Sequence, residues 1–146
     1  MYNTALRIVN KIPDAEDILQ EAFTDAFLQL KSFENKSTFG AWLKQIVVFK
    51  SIRFLDKQKM VFADAENVMD NIAEEETVNE ADIHFTIEGI KQKLQQLPDG
   101  YRTVLSLYLI EGYDHEEIAE ILNVAHATVR SQYMRGKQKL LQLLKA

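Results

Sequence analysis

A chain of 146 residues has room for one domain or two small ones, each with a modest core. Its 47% hydrophobic content excludes a disordered polymer, and its formal charge of -5 makes it acidic overall. With no cysteine it has neither disulfides nor thiolate metal sites, and no apolar run exceeds residues 46–49, far short of the roughly 20 residues of a bilayer-spanning helix. No basic start leads into an uninterrupted apolar core, so no signal peptide is expected, and the chain reads as soluble and intracellular.

The apolar positions Tyr2, Leu6 and Val9 begin directly after Met1, without a capping signal. Pro13 followed by Asp14 predicts a helix start, with Asp14 as N-cap and Asp17 three residues on in a weak capping-box arrangement. Ile18, Leu19, Ala22, Phe23, Ala26, Phe27 and Leu30 recur at helical spacing and predict one long buried face. A second helix is expected from Ser37 or Thr38 to about Gln58, carrying Phe39, Trp42, Leu43 and Ile46. No segment alternates apolar and polar residues between turn signals as a hairpin does. The expected class is all-α.

Residues 64–88 change character. They hold Asp64, Glu66, Asp70, Glu74, Glu75, Glu76, Glu80, Asp82 and Glu88 and no lysine or arginine. Such a density of like charge favours an extended or loosely helical segment. It reads either as a solvated linker or as an acidic arm for a basic channel of a partner, and in both cases as a domain boundary. The expected division is a helical domain over residues 1–60, a linker over 61–82 and a second helical domain over 83–146.

Four helices are predicted in the second half. Ile83, Ile87, Ile90, Leu94 and Leu97 mark the first, which Pro98 ends. The next runs from about Gly100 to Glu111 and stops at Gly112. Asp114 then caps a short helix, with Glu117 at the capping-box position and Ile118, Ala119, Ile121 and Leu122 facing inward. Asn123 suits a left-handed turn. The last helix starts near His126 and is expected to bury Val129, Tyr133, Gly136, Leu140 and Leu143. Short capped helix, tight turn and longer basic helix make up a helix-turn-helix.

That last helix carries Arg130, Arg135, Lys137, Lys139 and Lys145 and no acid, within an acidic chain. Complementing the helix dipole places cations in the final turn, whereas Arg130 lies near the start. A phosphate surface explains the pattern better, since each neutralised phosphate releases counterions. Thr128, Arg130, Ser131, Met134, Arg135 and Lys139 are left on outward faces.

The segment "LPDGYRTVLSLYLIEGYDHEEIAEILNVAHATVRSQYMRGKQKL" resembles region four of bacterial RNA polymerase sigma factors of the extracytoplasmic-function group. "DAEDILQEAFTDAFLQLKSFENKSTFGAWLKQIVVFKSI" resembles region two of the same group, and the acidic stretch lies where that family has its interdomain linker. The resemblance implies a promoter-specificity factor. Region two meets the polymerase clamp and opens the minus-ten element, and region four reads the minus-thirty-five element. By position, it implies clamp contacts at Asp17, Gln20, Glu21 and Thr24, where a carboxylate-rich face suits partner arginines. It implies minus-ten contacts at Phe33, Asn35, Lys36, Ser37, Thr38, Phe39 and Lys50, an aromatic and hydroxyl set suited to an unstacked base. Trp42, in the same segment, is expected to serve as a core residue. Minus-thirty-five contacts fall on the outward residues of the last helix. The implied partners are core RNA polymerase, promoter DNA and an anti-sigma factor, with no small-molecule substrate, cofactor, metal or membrane insertion, in the cytoplasm.

The chain departs from the family pattern at several places. Ala125 stands where a serine usually caps the recognition helix, which removes a hydrogen bond worth about 1 kcal/mol. Gln132 replaces a common arginine, and Phe49 and Arg53 stand where the family usually shows Asn and Asp. The helix that normally precedes "YNTALRIV" is missing, so the chain resembles a member shortened at its N-terminus. Two other classes compete. An enzyme would draw on "DHEE", residues 114–117, or on His84, His115 and His126, but adjacent helical residues diverge and no histidine pair has the four-residue metal spacing. A dimeric helix-turn-helix regulator with a helical N-terminal interaction domain is the stronger alternative. It would bind duplex operator without polymerase.

Overall fold

The computed structural model describes residues 1–59 and 86–145, and these form two compact units. Among the described residues every regular element is helical. The acidic segment 61–82, together with Ile83 and His84, lies outside them.

The first unit opens with α1 (Tyr2–Val9), closed by Asn10 in the left-handed conformation (φ 61°), whose N–H donates to Leu6 O at 2.8 Å. Helix α2 (Ile12–Leu28) follows almost at once. Its start corrects the expectation: Lys11 is the N-cap, Pro13 sits inside the first turn, and Asp14 is a first-turn acid rather than the cap. Proline is tolerated there because the first-turn N–H groups have no intrahelical acceptor. Asp14 still complements the helix dipole.

The buried face of α2 is also narrower than its periodicity suggested. Ala15, Ile18, Ala22 and Ala26 are buried, and α2 packs on α1, whose Thr4, Ala5, Ile8 and Val9 are buried. Phe23, Phe27 and Leu30 are exposed, and Leu30 belongs to a short 3-10 turn (Leu30–Ser32) beyond the helix. Alanines let the helices approach closely, and the larger side chains at the flanks are pushed outward.

Helix α3 (Phe39–Lys59) is capped by Thr38, whose Oγ1 accepts the Ala41 N–H at 3.2 Å. Leu43, Val47, Val48, Ser51, Ile52 and Leu55 form its buried face, and the Ser51 hydroxyl donates to Val47 O at 2.8 Å.

The second unit begins with α4 (Ile87–Leu94), capped by Thr86 Oγ1 accepting from Gly89 N–H at 3.1 Å. Pro98 is not the end of this helix but the N-cap residue of α5 (Asp99–Leu105). Beyond Leu105 the chain does not stay α-helical to Glu111. It widens into a π-helical turn (Ser106–Ile110), and Gly112 at φ 81° then ends it. Leu94, Leu97, Tyr101, Leu105 and Leu140 form the core, with Ile90, Ile110, Tyr133, Leu143 and Leu144 packed against it. Arg102 is only 2% exposed and donates to Leu97 O and to the half-exposed Asp99 carboxylate, so its enclosed charge is paired.

Helix α6 (His115–Leu122) carries the full capping box: Asp114 accepts from Glu117 N–H at 2.8 Å, and Glu117 accepts from Asp114 N–H at 3.2 Å. Asn123 turns the chain at φ 55° and ψ 48°. Helix α7 (His126–Lys145) then packs on α4, α5 and α6. Val129, Gly136 and Leu140 are buried as expected, Leu141 joins them, and Tyr133 and Leu143 are half-buried.

Candidate nucleic-acid interface

The outward side of α7 carries Thr128, Arg130, Ser131, Met134 and Arg135, all exposed, while Lys139 is half-buried. Met134 is 60% exposed in the middle of this polar face. Helix α7 is seated by an aromatic cluster. Tyr133 lies 4.8 Å from Tyr108 of the π turn and 5.0 Å from His115 of α6, ring centroid to centroid, and His126 lies 6.1 Å from His115. The first and second helices of the helix-turn-helix are thereby fixed to each other, which fixes the angle at which the cationic face is presented. His115 and His126 meet here although they are far apart in helical register. Among the described residues, however, no group of three or more His, Cys, Asp or Glu is placed to hold a metal. Nearby, burial pushes the Tyr113 phenol above its usual range, helped by the Glu111 and Glu117 carboxylates.

In the first unit the segment before α3 gathers three rings. Phe33 lies 6.0 Å from Phe39 edge-on and 5.1 Å from Trp42, and Phe39 lies 5.8 Å from Trp42. Phe39 is 48% exposed, whereas Phe33 and Trp42 are half-buried. Trp42 is therefore a wall of an open aromatic cluster and not a plain core residue. Asn35, in the left-handed conformation (φ 57°), turns the loop, and Lys36, Ser37 and Thr38 are exposed along it. Lys36 pairs with Glu34 at 2.8 Å on the surface. Lys50 is placed differently from the others. Its side chain is 19% exposed and binds Asp25 of α2 at 2.5 Å, with Glu21 at 3.9 Å, so it ties α3 to α2.

Asp17, Gln20, Glu21 and Thr24 share the exposed side of α2, and the Thr24 hydroxyl donates to Gln20 O at 3.0 Å. The same side continues through Phe27 and Leu28, which are 78% and 74% exposed. Periodicity had placed Phe27 on the buried stripe and had left Leu28 unassigned.

Two family models match the two units, sigma-70 region 2 over residues 1–60 and sigma-70 region 4 over residues 87–140. The ECF RNA polymerase sigma factor SigW of Bacillus subtilis is 33% identical over an alignment covering 99% of this chain and 83% of that protein. The chain belongs to the sigma-70 family, in its ECF group. RNA polymerase sigma factor SigV of Bacillus subtilis is similar to this factor as well, 32% identical across 99% of this chain and 84% of its own length. The sigma factor RpoE of Bartonella quintana, solved in complex with the anti-sigma factor NepR, shares the fold of this sigma factor. The TM-score is 0.64 at 24% identity, covering 99% of this chain and 89% of that one. This sigma factor is a promoter-specificity protein of transcription initiation. None of its described helices is long and apolar enough to cross a membrane.

Proposed function

We propose a division of contacts in which α2 binds core RNA polymerase, the loop before α3 takes the minus-ten strand, and α7 reads the minus-thirty-five element. The carrying observation is that an acidic chain presents a cationic outward face on one helix and an acidic, partly apolar face on another. Asp17, Gln20, Glu21 and Thr24, extended by Phe27 and Leu28, suit the clamp. Carboxylates offer charge-assisted bonds to arginines, and exposed apolar side chains supply burial energy at roughly 25 cal/mol per Å2. Phe33, Phe39 and Trp42, with Asn35, Lys36, Ser37 and Thr38 along the loop, form a platform and edge contacts for an unstacked base. Lys50 acts there indirectly, by holding α3 on α2. Thr128, Arg130, Ser131, Met134, Arg135 and Lys139 face the duplex.

The proposed domain division is residues 1–60, 61–82 and 83–146. The factor works in the cytoplasm without chemistry of its own, and an anti-sigma factor holds it inactive. Run-off transcription from genomic fragments tests the reading: this chain added to core polymerase yields discrete start sites. Specific duplex binding by the chain alone, with no polymerase-dependent initiation, would instead identify an operator-binding regulator.

A further inference from the structure

Helix α3 is apolar on two sides. Opposite its buried face, Trp42, Ile46, Phe49 and Arg53 follow one another at the spacing of a single helical stripe; the first three are half-buried and Arg53 is exposed. The stripe begins inside the Phe33–Phe39–Trp42 cluster and reaches Phe49 about 10 Å further along the axis, at 1.5 Å per residue. Arg53 continues the stripe and Lys50 and Lys57 flank it, with Asp56 the one acid of residues 39–59, in a chain whose net charge is -5. Lys50 is engaged with Asp25, whereas Arg53 and Lys57 are exposed. An aromatic face stacks on any base, and a nearby cation holds the connecting phosphate.

We propose that Phe49 is a second base-stacking site, with Arg53 on the adjoining phosphate, so that α3 holds two separated bases of the opened promoter strand. The inference rests on reading the first unit as the part that grips the minus-ten strand, and goes beyond it by adding a second site on the same helix. The occupant is single-stranded DNA, because the stripe is continuous with the first aromatic cluster and joins ring faces to positive charge.

The test uses the full chain assembled with core polymerase and a forked duplex selected by that holoenzyme from a pool randomised in its single-stranded arm. One abasic position is walked along the arm. The wild type is expected to lose affinity about ten-fold or more at two separated positions, as base–aromatic stacking implies. Phe49→Leu, which keeps bulk but removes the ring, should lose sensitivity at one of them and keep it at the other; Phe49→Tyr should keep both. Arg53→Ala should weaken binding at every arm sequence and flatten its salt dependence by about 0.7 of a unit in the log–log slope. A profile in Phe49→Leu matching the wild type overturns the proposal while leaving the first site intact. A wild-type profile that is flat throughout overturns the reading of the first unit as well.

Discussion

Gly136 of α7 lies so close to Tyr101 of α5 that a Cβ on the glycine would stand 3.0 Å from the Tyr101 Cβ, and 3.2 Å from Leu105 Cδ1. The Tyr101 Cβ is fixed to its backbone and cannot rotate away, so this contact sets how closely the recognition helix sits on the core. Adding a methyl group gains about 1 kcal/mol of helix propensity but overpacks a close crossing at a cost of roughly 1–3 kcal/mol. Gly136→Ala should therefore be net destabilising by about 1 kcal/mol, and Gly136→Leu by clearly more. Gly40, near the start of α3, has nothing within 4 Å of its would-be Cβ, so Gly40→Ala should raise stability by up to about 1 kcal/mol. Urea midpoints of the three variants check the contrast in sign.

Lys50 and Asp25 make the ion pair that joins α2 to α3, and the lysine is the more enclosed partner. Lys50→Met keeps most of the stem and removes the charge, leaving a partly enclosed carboxylate without its cation. The expected cost is roughly 1–2 kcal/mol, with Asp25→Asn costing less because the amide oxygen still accepts from Lys50 Nζ and Glu21 stays 3.9 Å away. The double variant should cost less than the sum of the two, which a double-mutant cycle by thermal denaturation measures. Additive effects would place Lys50 outside the pair and return it to the DNA surface.

Capping chemistry was legible because it is local. Asp114, Glu117 and Asn123 each act within a few residues of chain, and the residue types alone predicted the helix-turn-helix corner that the structure contains. Position along the first helix pair was less legible. Pro13 and Asp14 announce a helix start, but both lie within the tolerant first turn, and the chain entered the helix earlier. The face of α2 was drawn too wide: Ile18, Ala22 and Ala26 are buried as expected, but Phe23, Phe27 and Leu30 are not. That difference depends on the approach of α1, a tertiary fact that periodicity does not carry. The Lys50–Asp25 pair and the π turn after Leu105 leave no pattern in sequence, since each depends on how distant elements settle.

Ala125 precedes α7, and its carbonyl oxygen accepts from Thr128 N–H at 3.0 Å and Val129 N–H at 3.3 Å, while its side chain offers nothing to the first-turn donors. Ala125→Ser should supply the missing acceptor and add about 1 kcal/mol of stability. Asp114→Ala removes one half of the capping box of α6 and should subtract a similar amount. Thermal denaturation of the two variants should move in opposite directions from the wild type.

On the polymerase-facing side, Glu21→Lys reverses a charge on a side chain that is 70% exposed, and Phe27→Ser removes an apolar side chain that is almost wholly solvent-accessible. Phe27→Ser should alter stability by no more than about 0.5 kcal/mol, the usual range for surface changes, and Glu21→Lys by somewhat more because it sets a cation beside Lys50. Both should weaken retention by immobilised core polymerase. Well-folded variants retained as strongly as the wild type would remove the clamp assignment from this face of α2.

Arg130 and Arg135 stand on either side of Met134 on the exposed side of α7, and two roles are open to such arginines, a bidentate contact to guanine or a clamp on a phosphate. Arg130 lies nearer the end of the helix that enters the major groove and is expected to read a base. Arg130→Ala should then cost roughly 1–3 kcal/mol on the preferred site and relax preference at one base pair. Arg135, further along the helix, is expected to grip the backbone. Its alanine variant should weaken every sequence alike and lower the salt slope by about one unit. Holoenzyme binding to duplexes varied across the minus-thirty-five element, at several salt concentrations, separates the two. If both variants kept wild-type affinity and slope, the cationic side of α7 would serve a partner other than DNA.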